Sequence, residues 1–308
     1  MKRSVRIPAF AKINSCLHVL GKLPDGYHEL RTIFQSISLH DTLELELSPG
    51  REITLEIEGS PLPADSTNLV WRALDALRHE LHMRQGVHAR LTKRIPVARG
   101  LGGGSSDAAA ALTGLLRLVR RLLPLPRLIE IAASLGADVP FFLFGGRALG
   151  VNRGDEIYPL PDVPHKTILV VSPHDIGVST RDAYAWMDRG AAPTRRLTRQ
   201  LTKSTATHTI WGFCALCWSR QDTGIVNDFE VAVFRRHPRL ARIKRTLLQG
   251  GAAEAALAGS GSAVFGVFRN PAQARRVARE FPEDQVFVAK TLSRQDYRRA
   301  MLRRVPGG

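Results

Sequence analysis

Cysteine is scarce in this chain of 308 residues, with only Cys16, Cys214 and Cys217. An odd and sparse set argues against a disulfide framework. Cys214 and Cys217 form a C-x-x-C, but no second pair or histidine cluster stands near enough in sequence to complete a zinc site. The stretch around them, Trp211 to Trp218, is apolar, so both thiols read as packing residues. Long apolar runs are missing as well. The longest apolar region, 108–123, is interrupted by Arg117, Arg120 and Arg121, which excludes a membrane-spanning helix there. Met1 to Arg6 is basic but leads into no apolar core or small-residue cleavage site, so no signal peptide and a cytoplasmic location are expected. Acidic residues fall short too: 28 Asp and Glu against 44 Lys and Arg leave a net charge of +16. That surplus points to an anionic partner without choosing between nucleic acid, membrane and a phosphorylated metabolite.

What is present is an ordinary globular composition with readable periodicity. Residues 4–20 and 31–57 alternate apolar and polar positions and are rich in β-branched residues, which predicts several strands. Between them, Pro24-Asp25-Gly26 carries a turn signal. Asn68 precedes a run with Leu69, Ala73, Leu74, Leu77 and Leu81 on one face, a helix with its cap in place. Residues 87–93 form a strand, 100–104 a glycine-rich segment, and Ser105-Ser106-Asp107 opens an alanine-rich helix closed by Pro124 and Pro126. A further helix is expected at 127–135. Pro159, Pro161 and Pro164 mark a composition shift, hence a domain boundary near 160. Beyond it lie a buried strand at 167–171, helical segments, and an ending of strand 263–268, helix 271–280, strand 286–289 and basic helix 293–303. The stretch 190–222, rich in Arg and Thr, reads as a surface excursion. Strands and helices so segregated predict an α+β fold of two domains, 1–160 and 161–308.

The sharpest motif is Pro96-Val97-Ala98-Arg99-Gly100-Leu101-Gly102-Gly103-Gly104-Ser105-Ser106-Asp107, set between a strand and a helix. Glycines there let backbone N–H groups approach phosphate oxygens unobstructed, and the helix N-terminus adds partial positive charge. Ser105 and Ser106 can cap the helix, donate to phosphate or help hold Mg²⁺. The loop is not a Walker A motif, because no Lys follows the glycines in the required place, nor is it the dinucleotide fingerprint.

This run resembles the phosphate-binding motif of the GHMP small-molecule kinases. Four further segments are similar to members of that family: Ala11-Lys12-Ile13-Asn14 and Asp25-Gly26-Tyr27-His28, which narrow it to one branch, then Leu135-Gly136-Ala137-Asp138-Val139-Pro140, and Gly259-Ser260-Gly261-Ser262. The resemblance spans residues 11–268. It implies a two-domain GHMP-kinase architecture, with an N-terminal ribosomal-protein-S5-domain-2-like domain and a C-terminal ferredoxin-like α/β domain. It also implies ATP with Mg²⁺ as cofactor and transfer of the γ-phosphoryl group to the 2-hydroxyl of a cytidine-diphosphate-linked methylerythritol, a step of the non-mevalonate route to isoprenoid precursors. Within that resemblance Lys12 and Asp138 are the catalytic pair. Asp138 accepts the hydroxyl proton or orients the attacking oxygen, and Lys12 places positive charge near the phosphoryl oxygens. Pro96 to Ser106, Asn68 and Lys93 fall at the ATP site. Asn14, Tyr27, His28, Thr180 and Tyr184 fall at the substrate site, with the tyrosine rings stacking on cytosine. No metal ligand is assigned directly, Ser106 being the candidate. By residue type alone, Asp138 is equally a carboxylate at a helix start, Asn68 a helix cap, and Lys12 and Lys93 strand lysines.

Two other functions are compatible with parts of the sequence. A GHMP kinase for a sugar, homoserine or mevalonate-type alcohol shares the loop, but has no cytosine for Tyr27 and His28 to meet. A basic nucleic-acid-binding protein fits the surplus of charge, of which +11 lies in residues 231–308. The arginines there alternate with apolar positions at helical spacing, as in Arg242 and Arg245, which favours a solvated helix face over a nucleic-acid surface, so no nucleic-acid partner and no membrane are expected. Monomer and homodimer are both compatible. Arg99 departs from the family, which has Gly or Ala there, and either clasps phosphate or faces solvent.

Overall fold

The structure is a computed structural model that describes residues 3–22, 26–189 and 225–302. Cys214, Cys217 and the 190–222 stretch lie outside the described residues. The N-terminal alternation resolves into two long strands, β1 (Ser4–Lys22) and β2 (His28–Ser48), paired antiparallel. A parallel pair, β3 (Ile53–Glu58) and β4 (Gly86–Thr92), extends the sheet beyond β2. β5 (Arg147–Val151) and β6 (Glu156–Pro159) join β2 at its other end. One face of this sheet is covered by α1 (Leu69–Glu80), α2 (Gly103–Val119), α3 (Leu125–Leu135) and α4 (Val139–Phe144). Ile7, Leu43, Leu45 and Leu91 of the sheet meet Leu74, Leu77, Leu112 and Leu115 of the helices in one buried core.

The second half contains α5 (Thr180–Arg189), α6 (Phe229–Arg236), α7 (Pro238–Gln249) and α8 (Pro271–Ala278). Its sheet is formed by β7 (Thr167–Ser172), β9 (Glu254–Leu257), β10 (Val264–Phe268) and β11 (Gln285–Lys290). The order β11-β7-β10-β9, all antiparallel, is the ferredoxin-like arrangement. β7 is buried at every residue because helices cover one face and the first sheet covers the other. Ala11, Ile13, Ile37 and Leu39 of the first sheet pack on Ile168, Val170 and Phe265 of the second and on Ala258 just beyond β9, so the two halves share a core of their own.

Two crossings blur the boundary near 160. β8 (Val226–Asn227) adds a short parallel strand to β1. The last helix, α9 (Arg294–Leu302), sends Tyr297 and Met301 into the first core, where the Tyr297 hydroxyl donates to the Phe142 carbonyl at 2.6 Å. Among the described residues, no helix is long and apolar enough to cross a membrane.

Candidate functional site

Lys12 and Asn14 are two residues apart on β1 and therefore project to the same side of the sheet. The β1–β2 register shifts between Phe10 and Lys12 and again between Asn14 and Cys16, bracketing both residues with irregular pairing. Such shifts re-aim side chains that a regular ladder would hold flat. Lys12 Nζ reaches Asn14 Oδ1 at 3.0 Å and Asp138 Oδ2 at 3.5 Å. The lysine side chain is 5% exposed and the Asp138 side chain 34%, so the cation is enclosed while its carboxylate partner opens to solvent. Asp138 occupies the position before α4 but makes no capping hydrogen bond. Its carboxylate is committed to Lys12 instead.

The orientation of the Asn14 amide follows from donor counting. The Thr32 hydroxyl has one proton, which it donates to the Cys16 carbonyl at 2.7 Å. It must therefore accept from Asn14 Nδ2, 2.7 Å away, and this turns Asn14 Oδ1 toward Lys12. Thr32→Val is nearly isosteric and removes that acceptor inside a buried site. We expect about 1–3 kcal/mol of lost stability in urea unfolding, together with reduced turnover, while Thr32→Ser stays near the parent. Equal turnover for Val and parent would show that the amide needs no such support.

The glycine loop adopts left-handed backbone at Ala98 (φ 56°), Gly100 (φ 80°) and Gly102 (φ 72°). Alternation of this kind turns successive N–H groups to one side, the geometry of an anion-binding concavity. α2 begins two residues earlier than its sequence suggests, at Gly103, with left-handed Gly102 in the cap position. Ser105 and Ser106 consequently lie inside the first turn and do not cap it. Ser106 Oγ is buried without a hydrogen-bond partner, an orphaned oxygen at the helix start. The close approach is real: a Cβ on Gly102 would stand 2.8 Å from the Phe142 ring and 3.0 Å from Lys12 Cγ. The Lys12 amide also donates to the Leu101 carbonyl at 2.9 Å, tying loop to strand. Pro96, Val97 and Gly104 complete the loop's rim, with Val97 and Gly104 exposed.

The Arg99 side chain is half-buried and turns toward the second glycine segment. Its guanidinium donates to Ser262 Oγ at 2.8 Å and to the His174 carbonyl at 3.2 Å, and partial burial lowers its pKa, opposed by nearby Asp175. The Ala263 amide donates back to the Arg99 carbonyl at 3.2 Å. The two glycine-rich segments, 96–104 and 259–262, are thus bonded to one another. Asn227 holds the second segment from behind, donating through Nδ2 to the Leu257 and Gly259 carbonyls at 2.9 and 2.7 Å. Thr180, at the start of α5, meets Ser260 Oγ at 3.0 Å.

Two residues expected at the nucleotide are otherwise engaged. Asn68 caps α1, accepting from the Val70 amide and donating to the Pro63 carbonyl, both at 2.9 Å. The Lys93 side chain is 3% exposed and held by Asp41 at 2.5 Å and Asp107 at 2.6 Å, so its ammonium lies under the loop and not in its mouth. Burial pushes the Asp107 carboxyl up to about 8, against the pull of Lys93.

His28 and Tyr184 come together: their rings stack at 4.5 Å with 17° between planes, and His28 Nε2 meets Asp188 at 2.8 Å. The Tyr184 hydroxyl is raised above its ordinary value by burial, with the charges of Asp138 and Asp188 adding to the effect. Tyr184 therefore stands near both the Asp138 carboxylate and His28. Tyr27 stands apart at 58% exposure, with the Arg153 guanidinium 4.2 Å above its ring. Thr32 and Asp41 carry no signal in the sequence that would single them out as parts of the site, since each is an ordinary polar residue whose partner is distant in the chain, whereas Ser262 lies in the second glycine segment that the resemblance marks. Among the described residues, no group of three or more His, Cys, Asp or Glu side chains is arranged to hold a metal.

A glycine concavity at a helix start, beside a Lys–Asp pair and facing a second glycine turn, defines a small-molecule kinase. The family model described as GHMP kinases N terminal domain matches residues 68–146, and that described as GHMP kinases C terminal matches residues 215–285. The 4-diphosphocytidyl-2-C-methyl-D-erythritol kinase of Solibacter usitatus is 47% identical over 98% of this chain and 93% of its own length. The protein of the same name from Pelotomaculum thermopropionicum is 40% identical over 92% and 97%. The chain belongs to the GHMP kinase family, in the branch of these 4-diphosphocytidyl-2-C-methyl-D-erythritol kinases. A crystal structure of 4-(cytidine 5'-diphospho)-2C-methyl-D-erythritol kinase superposes with a TM-score of 0.73 at 30% identity, covering 93% of this chain and 98% of that one. A homoserine kinase from Cytophaga hutchinsonii superposes with a TM-score of 0.71 at 20% identity, a likeness of fold alone.

Proposed function

We propose that the chain transfers the γ-phosphoryl group of ATP to the 2-hydroxyl of 4-diphosphocytidyl-2-C-methyl-D-erythritol, giving the 2-phosphate and ADP. The observation that carries the chemistry is the Lys12–Asp138 pair placed against the glycine loop. Its support in specificity is the near full-length likeness to kinases named for that substrate. The acceptor hydroxyl lies against Asp138, which takes its proton as the new oxygen–phosphorus bond forms. The bond from the γ-phosphorus to the bridging oxygen breaks, and its electron pair leaves with ADP. Lys12 balances charge on the transferred group, and the loop amides fix the phosphates before reaction, so that little reorganisation is needed.

Mg²⁺ fits this site as a companion of the nucleotide and not as a resident ion. Mg²⁺ keeps several waters and takes one or two protein ligands alongside phosphates. The orphaned Ser106 oxygen at the start of α2 suits that need. Bound there, the ion neutralises phosphate charge. His28, Tyr184, Asn14 and Thr180 are assigned to the acceptor side, where the His28–Tyr184 stack offers a platform for the cytosine ring. We divide the chain functionally near residue 160, with catalysis and phosphate binding before it and the second glycine turn after it. ADP release is the test: it should require the cytidine-bearing alcohol and be absent when the cytidine is removed. Turnover of homoserine or mevalonate without turnover of that substrate would overturn the assignment.

A further inference from the structure

We propose that Lys93 is a positioning residue for the ATP phosphates: through Asp41 and Asp107 it ties the two ends of the glycine loop together beneath the site. This rests on the nucleotide site proposed above. Asp41, on β2, accepts through Oδ1 from the Arg94 amide at 2.5 Å and the Ile95 amide at 2.8 Å, the last two residues before the loop opens at Pro96. Its Oδ2 accepts from Lys93 Nζ. The same ammonium donates to Oδ2 of Asp107, which lies just inside α2, where the loop ends. Entry and exit of the loop are therefore held by one cation. A Cβ on Gly103 would stand 3.3 Å from Lys93 Nζ, which places the ammonium directly under the first residue of the helix.

Stability alone is a weak reason for such a cluster. Burying three ionisable groups costs more than it returns in many proteins, and apolar replacements of similar volume are often neutral or stabilising. What apolar residues cannot supply is direction. A carboxylate that bonds two consecutive amides and an ammonium fixes the angle at which the chain enters the loop, and the bond to Asp107 fixes the angle at which it leaves. Phosphate binding by backbone N–H groups depends on just those angles.

An asparagine at 107 keeps the side-chain shape and an oxygen that can accept from Lys93 Nζ, so it preserves the tie to the loop's exit.

The experiment is calorimetric titration of MgCl₂-supplemented ATP into the full chain without acceptor, alongside steady-state kinetics and thermal unfolding. Asp107→Leu leaves the Lys93–Asp41 pair intact but frees the loop's exit, and is expected to weaken ATP binding roughly tenfold or more, with KM for the acceptor near the parent value. Asp107→Asn is expected to bind ATP like the parent. If the leucine variant does not fold, Asp41→Asn reports from the entry side, where weakened ATP binding is again expected. ATP affinity equal to the parent in the loop-freeing variant overturns the proposal, as does an equal loss of affinity for ATP and acceptor. A parent protein that binds no ATP removes the nucleotide site itself, and the proposal falls with it.

Discussion

Asp138→Asn is expected to lower turnover by about 10²–10⁴-fold while ATP affinity stays close to that of the parent. The amide has the carboxylate's shape but cannot take up the acceptor's proton. The substitution is also mild structurally. Asp138 makes no capping bond, its side chain is one-third exposed, and Lys12 keeps its 3.0 Å hydrogen bond to Asn14 when the carboxylate is gone. Loss of activity with an unchanged melting temperature therefore isolates the chemical role. Turnover in the asparagine variant within a few-fold of the parent, measured by coupled ADP release, would place the proton acceptor elsewhere.

Gly100→Ala is expected to damage both nucleotide binding and the fold. Gly100 has φ 80°, and a Cβ there would sit 1.8 Å from the Ala258 carbonyl oxygen and 2.8 Å from the Gly261 amide nitrogen. Both obstacles are backbone, so no rotamer change can relieve them. Left-handed strain and overpacking together cost about 2–5 kcal/mol, and the loop must separate from the 259–262 turn to relieve them. KM for ATP should rise by roughly tenfold to a hundredfold. Gly104→Ala is the stability control. It lies within α2, its added Cβ would meet only Leu69 at 3.5 Å, and it should gain about 0.5–1 kcal/mol in helix propensity. A Gly100→Ala protein as stable as this control would show that the two glycine turns are not in tight contact.

The elements were largely legible because their signals are local. Asn68 and the leucines behind it predict α1, and the structure caps that helix with the same residue. The alternation in 4–20 likewise becomes β1, and the paired strands and helices after residue 263 appear within a few residues of their expected bounds. The start of α2 was misplaced because serines are common helix caps, whereas this helix is opened by a left-handed glycine. Nothing in residue type announces that choice when three glycines stand in a row. Asn68 and Lys93 were expected at the nucleotide by similarity of position. Their side chains are spent on a helix end and on a buried ion cluster, which only the neighbours in space reveal.

Similarly, the surplus of charge was a poor guide. It is concentrated after residue 230, whereas the loop and its Lys–Asp pair lie before residue 140. By itself the sequence determined the chemistry on offer: a run of glycines ahead of a helix, a lysine on a strand, a carboxylate before a proline, and a second glycine turn far along the chain. Tertiary structure decided which of these meet and at what angle. Lys12 reaches Asp138 across 126 residues, Arg99 reaches Ser262 across 163, and Thr32 orients Asn14 from the neighbouring strand. Hydrogen-bond direction and charge compensation are properties of the partners a group finds, and those partners are set by packing two sheets against a shared core.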